Sequence, residues 1–381
     1  MNALPSASFS TDPISSFTLD SLLAGAARLR GDREAVSDRR ERTTFADLDR
    51  RADSLAAAWA DLGLRQGETL LLIAGATARA VAAIVAAQRA GLRLALAPAH
   101  LAADALAPLA IACGAAAIVA DGAYGDISPM EEAFVAAARA PRVRLLMTLD
   151  GVAVDGAVRL DADAPAPAGP RARPERAAAL VTFDRAGCAV QHEQRTLVAA
   201  GLDLLARGRI GMRLPILTTL APASFAGIVA GPLGSLLAGA PLRLHAPFEA
   251  AGFLAAVAEE GGPPHLVVPA ALLPMCEAAG LVRADRLASL MLVSRLDHAE
   301  AQAPRPAPAR VRQMPPFLDL VAVGEVALVA ESRDQDGRPA DLCAEPHYIS
   351  MDERRILAAG WIGEGAGRQL AGAAVSIFGA A

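Results

Sequence analysis

Residues suited to phosphate chemistry gather in one stretch, Leu180 to Ala200, which reads LVTFDRAGCAVQHEQRTLVAA. A β-type run at Ala178, Leu180 and Val181 leads into the irregular loop Asp184–Arg185–Ala186–Gly187, and a helical run starts at Glu193. A strand–loop–helix unit of this kind can grip phosphate through backbone N–H groups. The residues present weaken that grip. The loop has one glycine and no lysine, and Asp184 sets a negative charge where phosphate would sit. Arg185 is the cation at hand, and its planar fork suits bidentate phosphate contact. Cys188 and His192, beside Glu193, offer a second chemistry, a thiolate nucleophile favoured near a helix N-terminus. No third residue is evident to orient the imidazole, so chance proximity is the plainer reading.

The other titratable residues point nowhere in particular. His100, His245, His265, His298 and His347 show no metal-ligand spacing, and Arg39–Arg40 and Arg50–Arg51 read as solvated faces. Cys113, Cys188, Cys276 and Cys343 lie far apart without CxxC spacing, which indicates neither a zinc site nor a disulfide framework. Reduced thiols and a cytoplasmic setting are the expectation. The N-terminal MNALPSASFSTDPISSF lacks the basic and apolar regions of a signal peptide.

Composition narrows the classes further. The 381 residues are enough for a sizeable core and two or three subdomains. They are 54% hydrophobic but only 4% aromatic, so that core must be built mainly from Ala, Leu and Val. A net charge of −5 gives no general attraction to nucleic acid or anionic membrane. All 36 basic residues are arginine, so no lysine is available for a Schiff base, a phosphate loop or adenylation. Leu214 to Leu242 is free of charge and long enough for a membrane, but Pro215, Pro222, Pro232 and Pro241 break it into short pieces. Buried strands and a helix are expected there instead of a span.

The elements that would position these residues alternate in type. Leu48, Ala52, Leu55, Trp59 and Leu62 fall on one face of a helix over Thr44–Gly63, with Thr44 and Asp47 as a capping pair. Thr69–Ala74 reads as a strand covered on both faces, Ala78–Ala90 as a helix and Leu92–Ala97 as a strand. Asp104–Ala112 follows as a helix, then Ala115–Ala120 and Val143–Leu149 as strands. After a Pro/Ala/Arg linker at Asp161–Arg176 the alternation restarts, with a helix over Glu193–Ala206 and a strand over Ile216–Leu220. Helices are expected at Phe225–Ala238, Phe248–Glu260 and Ala270–Ala279, with strands near Leu242–His245, Leu266–Val268 and Leu290–Val293. A second linker, Ala299–Pro316, precedes two β-like segments, Leu318–Ala330 and His347–Ala358. The fold class is α/β: two stacked βαβ subdomains, 1–170 and 171–316, built on mixed or parallel sheets, and a β-rich segment, 317–381.

Residues Asp32 to Asp121 resemble the N-terminal part of adenylate-forming enzymes, the superfamily of acyl-CoA synthetases, luciferases and peptide-synthetase adenylation domains. Thr44–Phe45 stands where that family opens a helix, Gly63 to Gly67–Glu68 where it turns into a strand, and Gly91 where the next helix stops. The pattern returns at Ala221–Ala240 (APASFAGIVAGPLGSLLAGA) and covers roughly Asp32 to Ala330. The resemblance implies a fold with ATP or AMP and Mg²⁺ as cofactors and a carboxylic acid or acyl compound as substrate. Thr182 to Gly187 (TFDRAG) falls on the family's TSGTTG loop and keeps its first Thr and last Gly, so Thr182, Arg185 and Gly187 become the nucleotide candidates. Ser294–Arg295–Leu296 replaces the adenine-binding turn, and an Arg–Leu pair there should hinder the base. Val321–Glu325 (VAVGE) keeps only the glutamate of YGxTE, so Glu325 is the candidate for nucleotide and metal. Ser224, Phe225 and Gly227 fall on the acyl pocket; Ser224 is not in a G-x-S-x-G elbow. The family's mobile C-terminal lid, with its catalytic lysine, is expected to be absent.

An adenylation transition state is crowded with negative charge, and losing one electrostatic contact to such a state costs about 3–4 kcal/mol. The expectation is therefore a catalytically degenerate member that acts as a binding or partner subunit, with a protein partner or as a homodimer. Two alternatives stay open: an acid–thiol ligase completed by a separate chain, and a protein–protein scaffold with no small-molecule pocket.

Overall fold

The computed structural model describes residues 17–165, 178–259, 262–296, 314–334, 338–339, 347–351, 354–362 and 369–372. Apolar runs without alternation are satisfied by burial on both faces, and the first half of the chain meets that demand in a sheet covered by helices. Its elements are α1 (Leu19–Arg30), β1 (Glu34–Ser37), β2 (Arg42–Thr44), α2 (Phe45–Asp61), β3 (Thr69–Ala74), α3 (Ala78–Arg89), β4 (Arg93–Pro98), α4 (Ala103–Cys113) and β5 (Ala115–Ala120). Next come α5 (Pro129–Ala137), β6 (Leu145–Thr148), β7 (Val158–Arg159), β8 (Leu180–Phe183), β9 (Ala189–His192) and α6 (Gln194–Gly208). The chain continues through β10 (Ile216–Thr218), α7 (Phe225–Ile228), α8 (Gly234–Ala238), β11 (Leu242–Leu244), α9 (Ala250–Val257), β12 (His265–Pro269), α10 (Leu273–Ala278) and β13 (Ser289–Leu296). It ends with β14 (Phe317–Val323), β15 (Ala327–Ser332), β16 (His347–Met351), β17 (Arg354–Ile362) and β18 (Gln369–Gly372).

Seven strands form one sheet in the order β7-β6-β5-β3-β4-β8-β9, and eight form another in the order β15-β14-β13-β12-β10-β11-β1-β2. Only edge strands run antiparallel: β9 on the first sheet, β2 and β15 on the second. Strand parity then sorts the core into layers. Leu70, Leu72 and Ala74 of β3 share a central cluster with α1, α2, α3 and α6 and with Ile216, Leu242 and Val267 of the second sheet. Leu71 and Ile73 point the other way, onto α4 and α5. Leu217, Leu266, Val268, Leu290 and Leu292 face α9 and α10. The result is five layers, helix–sheet–helix–sheet–helix.

Small side chains let α3 lie in the middle of this stack, where every residue but Arg79 is buried. Its one buried cation, Arg89, is matched by Asp20, Asp49 and Asp53 at 2.6–2.8 Å. These carboxylates overcome the desolvation that opposes its charge and hold its pKa above the ordinary arginine value. Helix α2 begins where the sequence places it, with Thr44 Oγ1 accepting from the N–H of Asp47 at 3.1 Å.

The architecture matches the expected class and departs from it in connection. The sheets do not follow the chain in blocks: β1 and β2 complete the eight-stranded sheet, β8 and β9 close the seven-stranded one, and β14 and β15 extend the larger sheet. The β-rich end is thus partly the edge of that sheet and partly a separate antiparallel trio, β16-β17-β18. The helix expected over Phe225–Ala238 is instead α7 and α8 joined by a π-turn over Val229–Leu233. Pro232 has no N–H to continue an α ladder, and Gly231 absorbs the change at φ −101°, ψ −109°. Most of the first linker, nearly all of the second, Cys343, His298 and the Asp352–Glu353 turn lie outside the described residues. Among the described residues no helix is long and apolar enough to cross a membrane.

Candidate functional site

Strand β8 lies beside β4 at the carboxyl end of the first sheet, and all four of its residues are buried. The loop after it does not open a helix as the sequence suggests. It turns back into β9, with Phe183 opposite Ala189 and Leu180 opposite His192. Helix α6 starts only after that extra strand, so the loop is a hairpin tip and its N–H groups have no helix behind them.

Those N–H groups are also engaged. The carboxylate Oδ1 of Asp184 accepts from the N–H of Ala186 at 2.9 Å and of Cys188 at 2.8 Å. The N–H of Gly187, at φ 83°, donates to the carbonyl of Asp184 at 3.1 Å. Asp184 therefore fills, from within the chain, the place an incoming phosphate oxygen would take. Arg185 and Cys188 are exposed on this loop.

His192 points inward. It is fully buried, and Thr182 Oγ1 lies 2.8 Å from its Nε2. Its ring packs on Phe225 with centroids 4.5 Å apart. Burial alone lowers its pKa to about 3, so the imidazole is neutral at any ordinary pH. Nδ1 is buried with no hydrogen-bond partner among the described residues. Thr182, not the thiol of Cys188, is the partner of this histidine.

Phe225 opens α7, capped by Ser224, whose Oγ accepts from the N–H of Gly227 at 3.1 Å. Gly227 is required here because a Cβ would lie 2.3 Å from the carbonyl oxygen of Ala221. The N–H of Phe225 donates to Glu325 Oε2 at 2.7 Å. Glu325 is not within a strand; it occupies the turn between β14 and β15 at φ 60°, a conformation that non-glycine residues seldom adopt. It is 2% exposed, and its Oε1 accepts from Arg295 Nε at 2.8 Å. Arg295 Nη2 then donates to the carbonyl of Phe183 at 2.7 Å.

These contacts close a circuit: Thr182, His192, Phe225, Glu325, Arg295, and back to Phe183 beside Thr182. Of the nucleotide candidates it gathers Thr182 and Glu325 and leaves Arg185 and Gly187 on the hairpin tip. Of the acyl candidates it takes Phe225 directly, with Ser224 and Gly227 shaping the turn beneath. Glu325 is buried with a donor on each carboxylate oxygen, and the Arg295 guanidinium at 2.8 Å already neutralises it and would repel a Mg²⁺ ion. Together with the self-occupied Asp184 loop, the residues present do not fit an ATP–Mg²⁺ group in this arrangement. No group of three His, Cys, Asp or Glu among the described residues could hold a metal.

A separate cleft of about 280 Å³ opens between the two sheets at the carboxyl ends of β3 and β5, lined by Asp38, Arg39, Arg40, Thr77, Tyr124 and Pro247. The strand order reverses between β3 and β5, which is where open α/β sheets offer a crevice. A neighbouring cleft of about 380 Å³ shares Asp38 and Arg39 and runs toward Arg243 and Glu259. Neither touches Phe225, Ala226 or Gly227.

Residues 23–330 match the family model described as AMP-binding enzyme. A salicyl-AMP ligase / salicyl-S-ArCP synthetase from Mycobacterium tuberculosis is 37% identical over 126 residues, 31% of this chain and 22% of that protein. The apo structure of Mycobacterium smegmatis MbtA superposes with a TM-score of 0.67 at 22% identity, over 94% of this chain and 67% of that one. A benzoate CoA ligase from Burkholderia xenovorans LB400 gives 0.65 at 20% identity, over 85% and 66%. The curated match thus spans about a fifth of its relative's length.

Proposed function

The chain belongs to the AMP-binding enzyme family, and from that premise we propose that it is impaired in adenylation and serves as a binding or partner subunit for a carboxylic acid or acyl compound. The observation that carries this reading is the closed circuit. Arg295 bridges Phe183 and Glu325 where the family resemblance puts the base and the metal ligand. Asp184 supports the same reading by holding the loop N–H groups that would otherwise meet phosphate.

Catalysis of acyl transfer to a nucleotide depends on preorganised donors aimed at developing negative charge. Here the donors are turned onto internal acceptors, and a carboxylate occupies the loop. Effects of this kind do not add simply, yet each acts in the same direction. Salicylate and benzoate are the first ligands to try, because those acids appear in the names of the similar proteins.

Calorimetric titration with ATP and Mg²⁺, alongside ATP–pyrophosphate exchange over a panel of carboxylic acids, tests the reading. It expects an acid to bind while ATP binds weakly and exchange stays at background. Tight ATP binding with exchange on any acid would overturn it. So would exchange that appears once a co-purifying protein is restored, which would make the chain one part of a working ligase.

A further inference from the structure

At the opposite end of the first sheet from the circuit, where β3, β4 and β5 begin, three arginines face one cleft of about 330 Å³. We infer that this cleft binds a small ligand through a phosphate group, with Arg93, Arg142 and Arg144 as the cationic walls.

The geometry starts from Gly114, the left-handed residue that ends α4 at φ 63°. A Cβ built there would lie 3.5 Å from Arg142 Nη1 and 3.9 Å from Arg93 Nη2. The two guanidiniums therefore converge on one point over a residue that has no side chain to fill it. No carboxylate separates them. The acid in the cleft, Glu68, is taken by Arg144 at 2.7 Å and by the N–H of Arg65 at 2.8 Å. Those bonds, the one from Arg144 first, hold its carboxyl below the ordinary glutamate range, and its ion pair is with Arg144, not with Arg93 or Arg142.

The remaining donors are fixed in place. Arg93 Nε donates to Thr69 Oγ1 at 2.8 Å and Nη2 to the carbonyl of Cys113 at 2.7 Å, which locks the plane of its fork. Arg142 is exposed, and its guanidinium has no hydrogen bond or ion pair among the described residues. The end of α4 accounts for part of this, since helix carbonyls attract cations. The carbonyls of Cys113 and Gly63 take Arg93 and Arg144, at 2.7 and 3.2 Å, and neither takes Arg142. Three positive charges against one negative leave a surplus of about two, which is what a phosphate dianion would neutralise, and arginine forks match its oxygens.

Titration of the full chain with inorganic phosphate and then pyrophosphate, followed by calorimetry at low ionic strength, tests the inference. Saturable binding should weaken at least tenfold in Arg142→Gln, which removes a side chain with no structural partner and so leaves the fold intact. Arg144→Gln should weaken it less, and Glu68→Gln should strengthen it several-fold by removing the competing charge. Raising the salt should loosen binding in the wild type. Absence of saturable phosphate binding would overturn the inference, as would an Arg142→Gln variant that binds as tightly as the wild type. Unchanged binding in that variant with tighter binding in Asp184→Gly would place the phosphate on the hairpin loop instead.

Discussion

Arg295 stands on the eight-stranded sheet and Phe183 on the seven-stranded one, and the 2.7 Å hydrogen bond from the guanidinium to the Phe183 carbonyl ties the two layers at their carboxyl edges. The same guanidinium neutralises Glu325, which is 2% exposed. One side chain thus performs two structural tasks at the place the family resemblance assigns to a ligand. A binding site is ordinarily left open; here that place is closed by the chain's own residues.

Arg295→Ala should therefore destabilise the chain beyond the loss of one hydrogen bond, because it strands a buried carboxylate. A fully buried pair broken in this way costs about 3–5 kcal/mol; with the Arg295 side chain 37% exposed, solvent reduces that to about 1–3 kcal/mol. Glu325→Gln, which keeps an acceptor for the N–H of Phe225, should cost less. Urea unfolding of the two variants checks the order. If Arg295→Ala is the milder of the two, the pair is not what holds the turn.

Releasing the loop is the complementary change. Asp184→Gly frees the N–H groups of Ala186 and Cys188 and removes the charge that opposes phosphate. The loop should lose about 1 kcal/mol of local stability, as when a capping side chain is deleted. Affinity for pyrophosphate at this loop should rise at least fivefold, measured by calorimetry in an Arg142→Gln background. No gain would mean that the hairpin geometry, rather than Asp184, excludes the anion.

Much of the fold was legible because burial leaves a simple mark. Thr69–Ala74 and Ala115–Ala120 are continuous apolar runs, and both are strands with the predicted bounds. Thr44 and Gly63 bracket α2 because capping chemistry is local. What escaped was set by pairing and packing that leave no mark in the local pattern. Nothing near Gly187 announces β9, whose ladder depends on pairing with β8, and nothing near Pro232 says whether the helix will stop or bulge. The site was legible only as a set of altered motifs. That Arg295 and Glu325, 30 residues apart, would find each other and also reach Phe183 and Phe225 is a property of the two sheets together. The detectable hint was a basic and an acidic residue, each beside a strand end that is otherwise apolar.

Gly227→Ala tests the floor of the circuit. Its Cβ would stand 2.3 Å from the Ala221 carbonyl oxygen, a backbone atom that cannot swing aside. Forcing extra volume into such a site costs about 1–3 kcal/mol. The Phe225 N–H should also move off Glu325, so hydrogen exchange at that amide should accelerate by more than global unfolding explains. Gly211→Ala, where an added Cβ meets nothing within 4 Å, is the control for glycine replacement. Equal losses in the two variants would remove the steric explanation.

Asp121, at the end of β5, supplies a test through pH. It is 3% exposed, and burial first, then the neighbouring Asp150, pushes its carboxyl up to about 7; Arg40 and Arg79 pull the other way and Asp38 adds to the rise. Since the folded pKa lies above the unfolded value of 3.8, the folded chain holds a proton there that the unfolded chain has released. Stability from this group is fully present below pH 3.8, is lost as pH rises through 7, and is flat above. The buried histidines slope the opposite way. His192, lowered to about 3, and His265, lowered to about 4, are neutral in the fold while the unfolded chain protonates near 6.5, so they cost stability as pH falls below that value. Over pH 4–6.5 the effects oppose one another in the wild type. Asp121→Asn removes one of them: its stability should climb more steeply with pH in that window, and at pH 8 it should exceed the wild type by up to about 4 kcal/mol. Chemical denaturation at pH 4.5, 6 and 8 reads both quantities. Parallel wild-type and variant curves would mean that Asp121 titrates as an ordinary surface carboxylate.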